Sequence, residues 1–248
     1  MQKKPYVLGL DMGGTNSVLG VVDARGHVLA RTSIKTQAFP DINDYVNALY
    51  IEAEKIIEPL GGFEQVRGIG AGVPNGNYYT GMIEGAMNLP WQSIPFAQIM
   101  SDRFGLPCKI TNDANAAAMG EMTYGAAKGM KNFIMITLGT GVGSGIVVDG
   151  KVVYGHDGFA GELGHTCAVR GENARPCNCG KVGCLEAYAS ATGVALTKHL
   201  YQSPQANAEA PNTAASASFK SEKSTCTLLR HKGSTLSFIA FSTGSLIQ

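Results

Sequence analysis

Four residues within positions 161–186 carry side chains that bind metals: His165, Cys177, Cys179 and Cys184. The segment reads GELGHTC, then a short loop, then PCNCGKVGCLE. Three thiolates and one imidazole make a closed tetrahedral set for Zn²⁺. No position is left for a catalytic water, so such an ion would be structural. Gly180 and Gly183 let the backbone wrap between the ligands. Glu162 lies three residues before the histidine and Glu186 two after the last cysteine. A bound ion would pin both carboxylates and His165 around one cavity. The other reading of these cysteines is a pair of disulfides or scattered core thiols. The chain otherwise reads as cytoplasmic, which favours the metal.

Two loops have the composition of phosphate cradles. Asp11-Met12-Gly13-Gly14-Thr15-Asn16 sits between two apolar strands. Its glycines let backbone N–H groups approach phosphate oxygens, and Thr15 adds a hydroxyl. Asp11, at the strand end, is placed to hold a Mg²⁺ shell through water. Gly139-Thr140-Gly141-Val142-Gly143 repeats the arrangement. Neither is a P-loop, because no Gly-Lys-Ser/Thr follows. Two such loops suggest one nucleotide held between two halves. A third segment, Thr111-Asn112-Asp113-Ala114-Asn115, follows a strand and opens a helix. It has two readings: a helix N-cap, or a site in which Asp113 takes a proton from a substrate hydroxyl and Asn112 binds a neighbouring one.

These residues need a frame, and the chain supplies a duplicated one. LDMGGTNSVLGVVDARG resembles ITLGTGVGSGIVVDGK, with Asp23 falling on Asp149 and Gly13 on Gly139 at an offset of 126. Each unit is strand, Gly/Thr turn, strand, small turn, which suggests a duplicated α/β architecture with a cleft between the halves. The periodicity predicts strands near 6–11, 18–22, 28–35, 66–72, 108–110, 133–138 and 145–148. It predicts helices over 42–58, 94–104, from 112 or 113 through 124, and from near 185 past 195. The expected division is an N-terminal lobe 1–115, a partial C-terminal lobe 116–197 with the metal site, and an atypical, poorly ordered tail 198–248. Only Gly233 and Gly244 of the 32 glycines fall in the last 48 residues, and 203–227 is rich in Ser, Thr and Ala without apolar period. The closing apolar run, 237–247, reads as isolated.

Composition excludes several classes. Net charge is +1, which gives no pull toward nucleic acid or an anionic membrane. No run of eighteen apolar residues spans a membrane, and the N-terminus is no signal peptide. Cys108, Cys167 and Cys226 have no spacing partner, and His27, His156, His199 and His231 belong to no constellation.

In order, DMGGTN, GVPNG, NDANAAA, LGTGVGSG, GELGHT and CNCGKVGCLE resemble the ROK family of bacterial sugar kinases and repressors. The match covers about 5–197. The resemblance implies an actin-like, hexokinase-type ATPase fold of two lobes with a cleft, the second lobe incomplete. It implies ATP, Mg²⁺ and structural Zn²⁺, with Asp113 as catalytic base. The sugar pocket it implies comprises Asn75, Gly76, Asn88, Asn112, Glu162, His165 and Glu186, the histidine serving both zinc and sugar. Nucleotide contacts would come from Asp11, Gly13, Gly14, Thr15 and Asn16, and from Gly139, Thr140 and Gly141. The substrate would be a hexose or amino-hexose, and family members are commonly homo-oligomers. Nothing after Thr197 resembles the family. The expectation is therefore either a glucokinase-type phosphotransferase or a catalytically impaired, zinc-stabilised sugar-binding fragment left by a frameshift. A sugar-responsive regulator is the weaker alternative, since only ten residues precede Asp11.

Overall fold

The computed structural model describes residues 4–86, 88–202, 227–229 and 237–242. The chain opens with an antiparallel meander of β1 (Tyr6–Met12), β2 (Asn16–Val22) and β3 (Val28–Lys35). Helix α1 (Ile42–Ile57) returns the chain to β4 (Val66–Gly72), parallel to β1. A two-stranded ribbon, β5 (Ile83–Glu84) and β6 (Ser93–Ile94), precedes α2 (Phe96–Phe104). Strand β7 (Cys108–Thr111) then completes a sheet in the order β3-β2-β1-β4-β7.

Helix α3 (Asp113–Thr123) leads to β8 (Phe133–Leu138), β9 (Val142–Val148) and β10 (Lys151–Val152), again an antiparallel meander. Helices α4 (Glu186–Ala189) and α5 (Ala191–Gln202) follow the cysteine segment. Strands β11 (Thr227–Leu229) and β12 (Ser237–Ser242) finish a second sheet, ordered β10-β9-β8-β12-β11. The offset of 126 carries Asn16–Val22 onto Val142–Val148, and β4 and β12 each lie parallel to the first strand of their meander. The two loops differ by one residue. Met12 pairs with Ser17, whereas Leu138 pairs with Val142.

Local chemistry explains the elements. Asp41 caps α1 by accepting the Asn43 N–H at 2.7 Å, and Tyr45, Val46, Leu49, Ala53 and Ile57 form its buried stripe. That stripe packs with Leu8, Leu10, Met12, Leu19 and Val21 in the larger core. A smaller core gathers Ala117, Ala118, Ala127, Phe133, Met135 and Val147.

Three expectations change. The helix expected from near Leu185 past Ala195 is two helices, because Ser190 is extended (φ −67°, ψ 163°). Its hydroxyl accepts the Gly193 N–H at 3.1 Å, the bond of an N-cap, so α5 starts afresh there. The tail expectation lies mostly outside the described residues. Where it is described, the apolar run is not isolated: β12 pairs with β8 through six residues, Ser237 opposite Phe133 to Ser242 opposite Leu138. A β-prone apolar run beside an open strand edge satisfies both backbones. Finally, the expected lobe boundary at 115/116 cuts through α3, which packs on β4, β8 and β9 alike.

Helix α3 reaches both sheets because the contacting residues are minimal. A Cβ on Gly145 would stand 2.6 Å from the Ala118 Cβ and 2.9 Å from the Ala114 carbonyl oxygen. One on Gly143 would meet the Ala114 Cβ at 3.0 Å, and one on Gly72, on the other sheet, the Ala116 Cβ at 3.1 Å. Gly145→Ala therefore forces α3 off β9 and should cost roughly 1–3 kcal/mol by overpacking. Gly70→Ala, in β4 with nothing within 4 Å of the added methyl, is the control and should change stability by under about 1 kcal/mol. Urea unfolding of the two variants reads the difference.

Candidate functional site

The loop 13–16 joins β1 to β2, and the Gly13 N–H donates to the Asn16 carbonyl at 2.9 Å. In the second loop the Gly139 N–H donates to the Gly141 carbonyl at 3.0 Å. Asp11 lies near the end of β1, half-buried. Burial pushes its carboxyl pKa up, and the charge of Asp113 pushes the same way.

Asp113 is the first residue of α3. Asn112 is the N-cap, its side-chain oxygen accepting the Ala114 N–H at 2.9 Å, while the Asp113 Oδ1 accepts the same N–H at 2.8 Å. The N-cap reading of this segment thus holds for Asn112, with the Asp113 carboxyl in the adjacent position. By area Asp113 remains open to water, yet protein crowds it on most sides. Burial pushes its pKa up, opposed by those backbone hydrogen bonds. A raised carboxyl pKa beside other acids is the setting of a proton acceptor. Two buried polar atoms next to it, Thr111 Oγ1 and Asn115 Oδ1, have no protein partner.

Glu162 precedes a short 3-10 turn, Leu163–His165. Burial pushes its pKa up most; His165 pulls it down, and Asp113 and Glu186 push it up. The structure therefore brings Asp11, Asp113, Glu162, His165 and Glu186 together. The Ser144 hydroxyl donates to the Gly161 carbonyl, tying this turn to β9. Glu186 does more than its sequence position suggested. Its Oε2 accepts the Val142 N–H at 2.9 Å, beside the second loop, and its Oε1 lies 3.7 Å from the Cys177 sulfur.

Asn75 has φ +50°, and its amide donates to the carbonyls of Glu84 at 3.0 Å and Gly85 at 3.2 Å. Gly76 is buried where a Cβ would meet the Thr111 carbonyl oxygen at 2.7 Å. Asn88 packs against Gly14, its Nδ2 lying 3.0 Å from where a Gly14 Cβ would stand. These residues thus flank the start of α3 and the first loop.

The metal-ligating set is also assembled. The ligand atoms of His165, Cys177, Cys179 and Cys184 lie within 4.8 Å of one another. Sulfur bonds of about 2.3 Å in a tetrahedron set edges near 3.8 Å between sulfurs and near 3.6 Å from sulfur to nitrogen. The Cys179 and Cys184 sulfurs are 3.7 Å apart, and the Cys177 sulfur is 3.6 Å from His165 Nδ1. The donor set and these two edges are of the kind that a zinc ion would take. Cys167 is exposed and donates to the Val169 carbonyl, outside this set.

Sequence reasoning missed two supports. Arg175 donates to the carbonyls of Ala187 and Gly193 and to the Thr197 hydroxyl, and its guanidinium lies 4.7 Å from the Tyr188 ring centre. It fastens the cysteine segment to α4 and α5. Its partners are mostly main-chain carbonyls, which leave no spacing signature. Asn77, 4% exposed, donates to the Asp157 carbonyl at 3.0 Å and so links the first lobe to the segment before Glu162. Its signal was the buried asparagine two residues beyond Asn75.

Known proteins resemble this chain in sequence and in fold. A glucokinase of Halalkalibacterium halodurans is 39% identical over 195 residues, covering 77% of this chain and 58% of its own length. A xylose repressor of Caldicellulosiruptor bescii is 33% identical over 190 residues, covering 74% of this chain and 46% of its own. The crystal structure of a ROK family glucokinase from Streptomyces griseus, in complex with glucose and AMPPNP, superposes with a TM-score of 0.68 at 33% identity. It covers 81% of this chain and 62% of that one. The chain thus spans under two thirds of the length of these relatives. The fold is that of the actin-like, hexokinase-type ATPases. Residues 7–240 match the sequence profile of the ROK family, well past the 5–197 expected from the motifs, and this chain belongs to that family.

Proposed function

We propose that this chain carries the sugar site and the phosphate loops of an ATP-dependent hexose kinase of the glucokinase type. The observation that carries this reading is that Asp113 lies close enough to both Asp11 and Glu162 for its charge to raise their carboxyl pKa values. Asp113 would then be a proton acceptor between a phosphate loop and a polar pocket. Asn112, Glu162, His165 and Glu186, with Asn75, Gly76 and Asn88, would hold a hexose by its hydroxyls. Carboxylates suit hydroxyl donors because the bonds are charge-assisted. The loops 13–16 and 139–141 would cradle the nucleotide phosphates, and Mg²⁺ near Asp11 would neutralise charge on them. The primary hydroxyl of the sugar gives its proton to Asp113 as its oxygen attacks the γ-phosphorus. The bond from that phosphorus to the bridging oxygen breaks, and ADP leaves with the electron pair.

His165, Cys177, Cys179 and Cys184 would hold one structural Zn²⁺, which fixes Glu162 and Glu186 through the chain on either side. A second reading, sugar recognition without phosphoryl transfer, draws support from the likeness to a xylose repressor. A coupled assay of ADP release with a panel of hexoses, beside calorimetric binding of the same sugars, separates the two. Hexose binding without any ADP release would favour the second.

Asp113→Asn keeps the size of the side chain but removes the proton acceptor. Turnover should fall by about 10²–10⁴-fold, with hexose affinity changed by less than about threefold. The same variant should melt higher at pH 7. Burial raises the folded pKa of Asp113, so between the ordinary and the raised pKa the folded state binds more protons than the unfolded. Stability then falls as pH rises through that window. The gain in melting temperature should vanish below the ordinary aspartate pKa of about 3.9. A variant with wild-type turnover would remove Asp113 from this role.

Cys179→Ser should lower zinc content, measured by elemental analysis against about one equivalent in the wild type, and should lower the melting temperature with it. Glu162→Gln should leave zinc in place and weaken hexose binding by about tenfold, the scale of one charge-assisted hydrogen bond. Zinc loss in Glu162→Gln would place that carboxylate with the metal instead.

A further inference from the structure

We propose that Tyr45, Ser17 and Thr36 form a buried hydroxyl relay that sets the conformation of the first phosphate loop, making Tyr45 a positioning residue for nucleotide binding. The proposal rests on the reading of 13–16 as a phosphate loop. All three side chains have 0% exposure in an otherwise apolar core. The Tyr45 hydroxyl donates to Ser17 Oγ at 2.6 Å, Ser17 Oγ lies 2.8 Å from Thr36 Oγ1, and the Thr36 hydroxyl donates to the Gly13 carbonyl at 2.8 Å.

Proton counting gives the relay one direction. A hydroxyl has a single proton to donate. The Thr36 proton goes to Gly13, so Thr36 accepts from Ser17. The Ser17 proton is then spent, so Ser17 accepts from Tyr45. The relay starts on α1 and ends on the loop. The Tyr45 ring is wedged at its head, with ring centres of Phe39, Trp91 and Phe96 at 6.0, 4.7 and 6.4 Å. Burial pushes the phenol pKa up, so it stays a donor at neutral pH.

The far end has a geometric consequence. Thr36 holds the Gly13 carbonyl toward the interior, and its own N–H holds the Thr15 carbonyl at 2.9 Å. The Gly13–Gly14 peptide is trans. In a trans planar peptide the N–H points opposite to the C=O. The Gly14 N–H is thereby turned away from the core, as an anion-binding nest requires. Asn88 closes on Gly14 from another side, so a side chain there would press on Asn88. An apolar triple would fill the same space, and swapping both partners of a buried hydrogen bond for apolar groups can be nearly neutral for stability. It could not hold the Gly13 carbonyl. The second loop is held otherwise: the Ala191 N–H donates to the Gly139 carbonyl at 2.8 Å and the Thr192 hydroxyl to that of Thr140 at 3.3 Å. It is an internal control.

Tyr45→Phe and Thr36→Val remove the first and last hydroxyls, and Thr36→Ser keeps the last. In the full chain without ligand, amide hydrogen exchange at Gly13 and at position 36, whose N–H groups donate to the Asn16 and Thr15 carbonyls, should quicken by about tenfold in the first two variants. Exchange across 139–141 should hold steady, and Thr36→Ser should match the wild type. By calorimetry, the dissociation constant for Mg²⁺–AMPPNP should rise about tenfold, while that for glucose stays within about twofold. If Thr36→Val does not fold, Tyr45→Phe carries the test alone, since its ring packing is kept. Unchanged exchange at Gly13 and position 36 in a folded variant overturns the relay. So does quickening that spreads equally to 139–141, which is general loosening. If the wild type binds no nucleotide yet Gly13 and position 36 alone respond, the relay stands and the phosphate-loop reading falls.

Discussion

Everything at the candidate site depends on how closely α3 can approach two sheets at once. A helix packed through ordinary side chains sits 8–10 Å from its neighbour, too far on both sides for one residue to serve two loops. Here the contact surfaces are Gly72 on one sheet, Gly143 and Gly145 on the other, and Ala114, Ala116 and Ala118 on the helix. With nothing larger than a methyl between them, the start of the helix is wedged where both halves of the molecule meet. Asn112 and Asp113 occupy that start, so the same residues cap a helix and present a carboxyl. The alanines are there to be small; apolar burial is secondary, and the larger core lies under α1 and α2.

That placement has an electrostatic cost. Asp11, Asp113 and Glu162 are all held above the ordinary carboxylate range, burial being the first cause in each. Acids that repel one another in crowded surroundings destabilise the fold at neutral pH. The rest of the structure offsets this with directional ties. Ser144 holds Gly161, Arg175 holds the ends of α4 and α5, and Val142 donates its N–H to Glu186. The proposed zinc would add a cross-link between the segments that carry Glu162 and Glu186. An ion there would hold together acids that repel one another.

What the sequence made legible follows from periodicity and spacing. The strand–loop–strand unit and its copy at an offset of 126 were readable because both rest on local pattern, and the two sheets bear the same meander. The gathering of His165, Cys177, Cys179 and Cys184 was readable because the four stand within twenty residues of one another. Ser190 was hidden because alanines flank it in a helix-prone run, and only the capped Gly193 N–H shows that the helix restarts. The pairing of Ser237–Ser242 with β8 was hidden because a contact between strands about a hundred residues apart leaves no local trace. Ser17, Thr36 and Tyr45 were hidden for a different reason. Ser17 and Thr36 stand next to the strands expected at 18–22 and 28–35, and Tyr45 reads as part of an apolar stripe; only their mutual distances show one chain of hydrogen bonds.

The duplication also shows where the two halves part company. Both loops close on themselves through a glycine N–H, as their common pattern requires. Yet the first is braced from within its own lobe, by the hydroxyls of Thr36, Ser17 and Tyr45. The second is braced by residues that come after the cysteine segment: Ala191, Thr192 and, through Val142, Glu186. Glu186 follows Cys184 by two residues, and its other oxygen lies beside the Cys177 sulfur. The cysteine cluster is therefore mechanically continuous with the second loop and separate from the first. Loosening the cluster would reach the second loop only, and loosening the hydroxyl chain the first. A duplicated fold has in this way acquired two independent means of bracing its two matching loops, buried hydroxyls for one and the residues that follow a Cys/His cluster for the other.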